Sequence, residues 1–226
     1  ISACLVGSEM CIRDRPSPLH RIRPGQPKLG ALTSRSRPLG DAMRVILLSG
    51  GLDSAVALLS ESFFEVGPGF DLALSVDYGQ PHRSELEAAR RLAARAGVDH
   101  EVVSVGFPVA PASGLLGGHD LTAADSVVPG RNVLFVALAA MRGATDVTLG
   151  CNADDQADYP DCRPDVLVMS AQVCGVSVSL PLVSLTKGEI LERASDMGLA
   201  AGDTVSCYRG NQCGECAACR LRGDHG

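Results

Sequence analysis

Apolar residues come in short blocks from residue 44 onward, and the period changes from block to block. Residues 44–48 form a β-branched and leucine run, the pattern of a strand buried on both faces of a parallel sheet. Over residues 53–63 the apolar positions Val56, Leu58, Leu59 and Phe63 predict a helix packed on that sheet. Residues 72–76 predict a second strand, and Glu85, Leu86, Ala89, Leu92 and Ala93 mark the helix after it. A helix follows over 133–141, a third strand over 146–149 and a fourth over 178–183. A last helix opens at Thr186-Lys187-Gly188-Glu189. Strands alternating with helices predict an α/β domain: an open, mostly parallel sheet with helices on both faces.

Residues 1–42 do not share the pattern. They show no sustained periodicity and contain Pro16, Pro18, Pro24, Pro27 and Pro38 among scattered arginines, a composition that predicts disorder. No apolar stretch precedes a small-residue cleavage site, which argues against a secretory signal. The frequent Arg and Ser leave a transit peptide open. The stretch CLVGSEMCIRDR resembles translated sequencing-adapter sequence. The expectation is therefore a non-native extension over 1–42, with one domain over 43–226. Cys4 and Cys11 then carry no functional weight.

Composition narrows the classes. The chain has 226 residues, enough for one α/β domain with a sizeable core. No apolar run reaches the roughly 18 residues that a membrane span needs. The net charge of −6 divides into +4 over residues 1–42 and −10 over the rest. An acidic body does not suit a protein that grips a nucleic-acid backbone, so the expected partner is a small molecule. Of the nine cysteines, four cluster near the C-terminus, and Cys151, Cys162 and Cys174 read as free thiols. That usage predicts a reducing compartment, the cytoplasm.

The first strand runs into Ser-Gly-Gly-Leu-Asp-Ser, residues 49–54. Gly50 and Gly51 let a ligand approach the backbone. The N–H groups of the turn and of the first helical turn lack intrahelical acceptors and face whatever lies beyond the strand, with the positive end of the helix dipole behind them. Ser49 and Ser54 add hydroxyls. Asp53 would oppose a naked anion, so its carboxylate points to Mg²⁺. Neither the Walker loop nor the dinucleotide fingerprint fits, since no Lys follows and no third glycine is correctly spaced. The stretch resembles the PP-loop of the N-type ATP pyrophosphatases. That resemblance implies an adenine nucleotide alpha hydrolase-like architecture and a loop holding the pyrophosphate of ATP while a substrate oxygen attacks the α-phosphorus.

Two further segments follow strand ends, where ligands bind in open parallel sheets, and two others open helices. DYGQPHRSE, residues 77–85, borders the same edge, although His82 alone reads equally as a capping or exposed residue. In VPGRN, residues 128–132, Arg131 and Asn132 suit a phosphate or a base edge, or an ordinary Pro-Gly turn with an Asn cap. The acidic stretch 154–163 is either a solvated loop or a heterocycle pocket. In the pocket reading, Tyr159 and Asp161 meet the ring and Arg163 pairs with a substrate carboxylate. Lys187 at a helix start opposes the macrodipole, which makes sense beside a phosphate or if the side chain is simply exposed.

Cys207, Cys213, Cys216 and Cys219 follow the spacing C-x5-C-x2-C-x2-C. Four thiolates close a tetrahedral shell, so Zn²⁺ there would be structural, with Arg209, Arg220 and Arg222 near to offset its charge. An Fe–S cluster competes for the same ligands.

Assembled in order, SGGLDS, DYGQPHRSE, VPGRN, YPDCR (159–163), PLVSLTKGEI (181–190) and the cysteine cluster resemble the 7-cyano-7-deazaguanine synthase family of queuosine biosynthesis. The resemblance implies ATP-dependent conversion of 7-carboxy-7-deazaguanine and ammonia to the nitrile, through an adenylated carboxylate and an amide. It implies ATP binding by Leu48, Ser49, Gly50, Gly51, Leu52, Asp53, Ser54, Ala55, Val56, Ala57 and Leu58, with Asp53, Ser54 and Lys187 catalytic. It implies substrate contacts from Arg131, Asn132, Tyr159, Asp161 and Arg163, a C-terminal Cys4 zinc knuckle within 206–220, and a homodimer. The spacer between Cys207 and Cys213 is shorter than in many family members, and the tail after CRLR is short. The alternatives are another PP-loop ligase, a tRNA thiolation enzyme, or a binding module without turnover. Thiolation favours Fe–S and a basic face, against the acidic body.

Overall fold

The computed structural model describes residues 42–63, 69–80, 83–106 and 127–205, with only the backbone of 61–63. Among the described residues, five strands form one parallel sheet: β1 (Arg44–Leu47), β2 (Leu72–Asp77), β3 (His100–Ser104), β4 (Asp146–Thr148) and β5 (Ser177–Ser179). The helices among the described residues are α1 (Leu52–Phe63), α2 (Arg83–Ala96), α3 (Arg131–Met141), α4 (Asp155–Asp158), α5 (Pro164–Cys174) and α6 (Lys187–Asp196). A 3-10 turn, Pro160–Cys162, lies between α4 and α5.

The spatial order is β3-β2-β1-β4-β5. The chain builds outward from β1 to β3, then crosses to β4 on the other side of β1. The order therefore reverses between β1 and β4, and the crevice beyond their carboxyl ends is where such sheets bind ligands. Pairing of Ile46 with Thr148 on one side and with Ala73 on the other fixes the register at this centre.

Alternation along β1 divides the core. Ile46 and Leu48 pack with Val56, Leu58, Leu92 and Ile190 beneath α1, α2 and α6. Val45 and Leu47 pack with Val136, Val147 and Leu167 beneath α3 and α5. Helices cover both faces, as the alternation of blocks predicts. Among the described residues no helix is long and apolar enough to cross a membrane.

Several elements depart from the expectation, among them α4 and the 3-10 turn, which fall in the stretch expected as a loop or pocket. β3 is an edge strand whose HEVVS alternates between half-buried and exposed, so it carries no apolar run to mark it. α5 is apolar almost all round, with Val168, Met169 and Val173 exposed, so no helical stripe stands out. β5 ends at Ser179 rather than continuing through residue 183. Pro181 lacks an N–H to extend the ladder, Val183 N donates to Leu180 O in a turn, and Leu182 is buried from that turn. Residues 1–41 and the cysteine segment 206–226 lie outside the described residues.

Candidate nucleotide and substrate site

The turn after β1 is tied by its own serines. Ser54 Oγ donates to Gly51 O at 3.0 Å, Ser49 Oγ accepts Gly51 N–H at 3.2 Å, and the two hydroxyls lie 3.1 Å apart. Gly50 has φ +86°, and a Cβ there would come within 2.1 Å of Glu85 O in α2. Two residues beyond the neighbouring strand β4, a Cβ on Gly150 would come within 2.8 Å of the Asp53 backbone. Both glycines are therefore seats: α2 rests on one, and the first turn of α1 rests on the other. Leu48, Leu52, Ala55, Val56, Ala57 and Leu58 send their side chains into the core, so they offer a ligand the frame of the helix rather than side-chain contacts.

Lys187, 134 positions later, reaches across to the head of α1. Its Nζ donates to Asp53 Oδ1 and Oδ2 at 2.7 and 2.5 Å, with both side chains about one-quarter exposed. This answers the apparent conflict with the α6 dipole: the ammonium points away from its own helix to a carboxylate. Thr186 and Glu189 form a capping box at the same terminus, and Asp154 Oδ2 accepts Lys187 N–H at 2.8 Å.

Beyond β4, Asn152 is fully buried and organises the next loop. Its side chain donates to Asp155 Oδ2 at 2.8 Å and accepts Asp155 N–H at 2.9 Å. Gln156 Nε2 donates to Asn152 O and Val183 O. Burial pushes the Asp155 carboxyl up to about 6; Lys187 opposes the rise and the Asp53 charge adds to it. Asn152, Asp154 and Asp155 escaped the sequence reading as individual residues. Their position after a strand at the sheet centre was the available signal.

The motifs at 128–132 and 159–163 meet. Asp161 is buried, and its Oδ2 accepts the Asn132 N–H at 2.9 Å. Asn132 Nδ2 faces Asp161 O at 3.4 Å and Cys162 Sγ at 3.3 Å. Asp161 thus caps α3, whose N-cap, Gly130, has no side chain to do so. Arg131 Nη1 lies 3.5 Å from Tyr78 Oη. Burial opposes the Arg131 charge, but Tyr78, Asp161 and Cys162 outweigh it and hold its pKa raised. Tyr159 is half-buried against the core beneath α3 and α5. Arg163 is exposed, its Nε donating to Gln156 O at 3.2 Å. Cys151 and Cys162 are free and buried; a hydrogen bond to Cys162 and burial raise the Cys151 thiol pKa.

The turn 77–80 is bonded to itself, Gln80 spanning Tyr78 N and Val76 O. His82 and the ligand set Cys207, Cys213, Cys216 and Cys219 lie outside the described residues. Among the described residues no group of three or more His, Cys, Asp or Glu is placed to hold a metal. Asp53 is the carboxylate that would hold Mg²⁺ beside a nucleotide, and both of its oxygens accept from Lys187 Nζ.

A five-stranded parallel sheet with the 49–54 turn at its switch point, faced by a lysine–aspartate pair, is the arrangement of α/β proteins that bind ligands beyond their strand ends. Residues 43–225 match the family of the queuosine biosynthesis protein QueC, and the chain belongs to that family. It is 41% identical over 211 residues to the 7-cyano-7-deazaguanine synthase of Thiobacillus denitrificans, covering 79% of this chain and 90% of that one. The synthase of Novosphingobium aromaticivorans is 40% identical over 220 residues, covering 82% and 90%. Among solved structures, the U34-tRNA thiolase NcsA from Methanococcus maripaludis with its [4Fe-4S] cluster aligns over 82% of this chain and 67% of its own. The TM-score is 0.48 and the identity 17%. NMN synthetase from Francisella tularensis aligns over 75% and 68%, at TM-score 0.47 and 21% identity.

Proposed function

We propose that the chain converts 7-carboxy-7-deazaguanine and ammonia to 7-cyano-7-deazaguanine at the expense of ATP. The observation that carries this reading is the match of residues 43–225 to the QueC family, and the Lys187–Asp53 pair beside the 49–54 turn supports its ATP end. The N–H groups of the turn, with Ser49 and Ser54, receive the pyrophosphate of ATP. The substrate carboxylate attacks the α-phosphorus and pyrophosphate leaves. Ammonia then adds to the activated acyl carbon, AMP departs, and an amide remains. The amide oxygen attacks the α-phosphorus of a second ATP, pyrophosphate leaves, and loss of AMP with the two protons of the nitrogen completes the nitrile. Mg²⁺ held by Asp53 and the phosphates would offset the charge on departing pyrophosphate. Lys187, released from Asp53, supplies a cation to the same oxygens. Most of the catalysis is positioning and electrostatics, with no covalent nucleophile from the protein.

Arg131, Asn132, Tyr159, Asp161 and Arg163 form the deazaguanine side. In this reading Asp161 meets the guanine edge and orients Asn132 through the cap on α3, Arg163 pairs with the substrate's carboxylate, and Arg131 adds a second cation beside it. Cys207, Cys213, Cys216 and Cys219 bind one structural Zn²⁺. A cytoplasmic homodimer acting on small molecules, without nucleic acid, completes the proposal.

Purified protein with ATP, Mg²⁺, ammonia and 7-carboxy-7-deazaguanine should release pyrophosphate only when the acid is present, and should yield the nitrile. Absence of both products overturns the reading. Anaerobic metal analysis should find zinc; iron with sulfide would instead favour thiolation chemistry.

A further inference from the structure

Two polar side chains lie beneath the 49–54 turn and have no role above. Ser75 in β2 is 1% exposed. It shares a sheet face with Ala73, which packs beside Ile46 and Leu48, and Ala73 lies opposite His100 of β3. Ser75 Oγ donates to Leu48 O at 2.5 Å and lies 2.8 Å from His100 Nε2.

Leu48 is where the chain leaves the sheet. Its N–H still donates to Leu74 O at 2.9 Å, yet β1 ends at Leu47 and a side chain holds the Leu48 carbonyl. The next residues are Ser49 and Gly50, the latter pressed against α2. Ser75 has one hydroxyl proton and spends it on Leu48, so its oxygen accepts from His100 Nε2–H. Burial and the Arg90 guanidinium of α2 lower the His100 pKa, with Glu87 opposing, so the ring carrying that proton is neutral at neutral pH. A chain of two hydrogen bonds therefore runs from the edge strand to the entrance of the turn.

We propose that Ser75 and His100 are positioning residues for ATP. Neither touches the nucleotide. They fix the direction in which the backbone leaves β1, and with it the aim of the N–H groups at residues 49–54. The inference rests on reading that turn as the pyrophosphate-binding loop. Small misplacements of a binding group cost large factors in rate, so losing either bond should be felt first in ATP binding.

The test uses the full chain as Ser75→Ala, Ser75→Thr, His100→Phe and His100→Gln. ATP affinity is measured by calorimetry, alongside KM for ATP and for 7-carboxy-7-deazaguanine, kcat and Tm. Ser75→Ala and His100→Phe should each weaken ATP binding and raise KM for ATP roughly ten-fold. KM for the acid should stay within about two-fold of wild type on the same reasoning. Ser75→Thr and His100→Gln, which keep a donor, should recover most of the loss. If Ser75→Ala does not fold, the His100 pair carries the test. Unchanged ATP affinity in Ser75→Ala and His100→Phe overturns the inference while leaving the loop reading intact. So does a joint rise of both KM values that neither conservative variant rescues. A wild-type chain that binds no ATP overturns both.

Discussion

At the residue scale, Asp53 and Lys187 define the energetics of the candidate centre. The pair is only partly buried, so its contribution to stability is modest, between the ~0–1 kcal/mol of exposed pairs and the larger cost of breaking buried ones. Its weight falls on chemistry. Asp53→Asn should lower kcat/KM by about 100-fold or more while Tm moves little, as is usual when a preorganised charge is removed. Steady-state pyrophosphate assays with thermal melts check this; collapse of the fold would make Asp53 structural. Asp155 gives a second handle. Its folded pKa is raised to about 6, so the native state holds a proton that the unfolded chain has already released. Stability therefore falls as pH rises from about 4 to about 6 and stays lower above that. Asp155→Asn removes this slope. Urea melts at pH 4.5, 5.5 and 7.5 should show the variant gaining on the wild type as pH increases.

At the element scale, α1, α2 and β4 converge on two glycines. Gly50 combines positive φ with the carbonyl of Glu85 at the site of a missing Cβ, and Gly150 leaves room for the backbone of Asp53 and Ser54. Gly50→Ala and Gly150→Ala should each destabilise by roughly 2–4 kcal/mol, read as a lower urea midpoint with unchanged m-value. What the sequence disclosed about elements follows from how they are buried. β1, β2 and the helix after each are legible because continuous apolar runs meet helical stripes. β3 is hidden by half-exposure, and α5 by the lack of a polar face. The motif 49–54 is readable because its glycines and carboxylate are contiguous. The cap that Asp161 gives to α3 is not, since nothing local links residues 29 positions apart. The brace from Ser75 and His100 is silent for a similar reason: a serine and a histidine on separate strands become partners only through the register.

At the scale of the whole molecule, charge limits what the enzyme can hold. The net charge is −6, and residues 43–226 account for all of the negative excess. Bulk tRNA at low salt should leave pyrophosphate release unchanged and should not be retained with the protein on a filter, because phosphate contacts need basic surface. A tRNA-dependent rate would contradict the small-molecule reading. The division into two apolar layers around one parallel sheet was foreseeable from the alternation of blocks. The long-range closure of the centre was not, because a lone lysine at residue 187 carries no local mark of its partner.

That closure also sets an order of events during synthesis. Asp53 waits for Lys187, and the carbonyl of Gly50 waits for the N–H of Val205, 2.9 Å away in the finished protein. Both partners leave the ribosome long after the turn they complete, since chains emerge from the N-terminus. A nascent chain holding β1, α1 and β2 already carries the whole 49–54 motif, yet has neither the cation nor the backbone tie. Interrupted synthesis therefore yields fragments with the motif but without its finished geometry, which arrives only once residue 205 has been made.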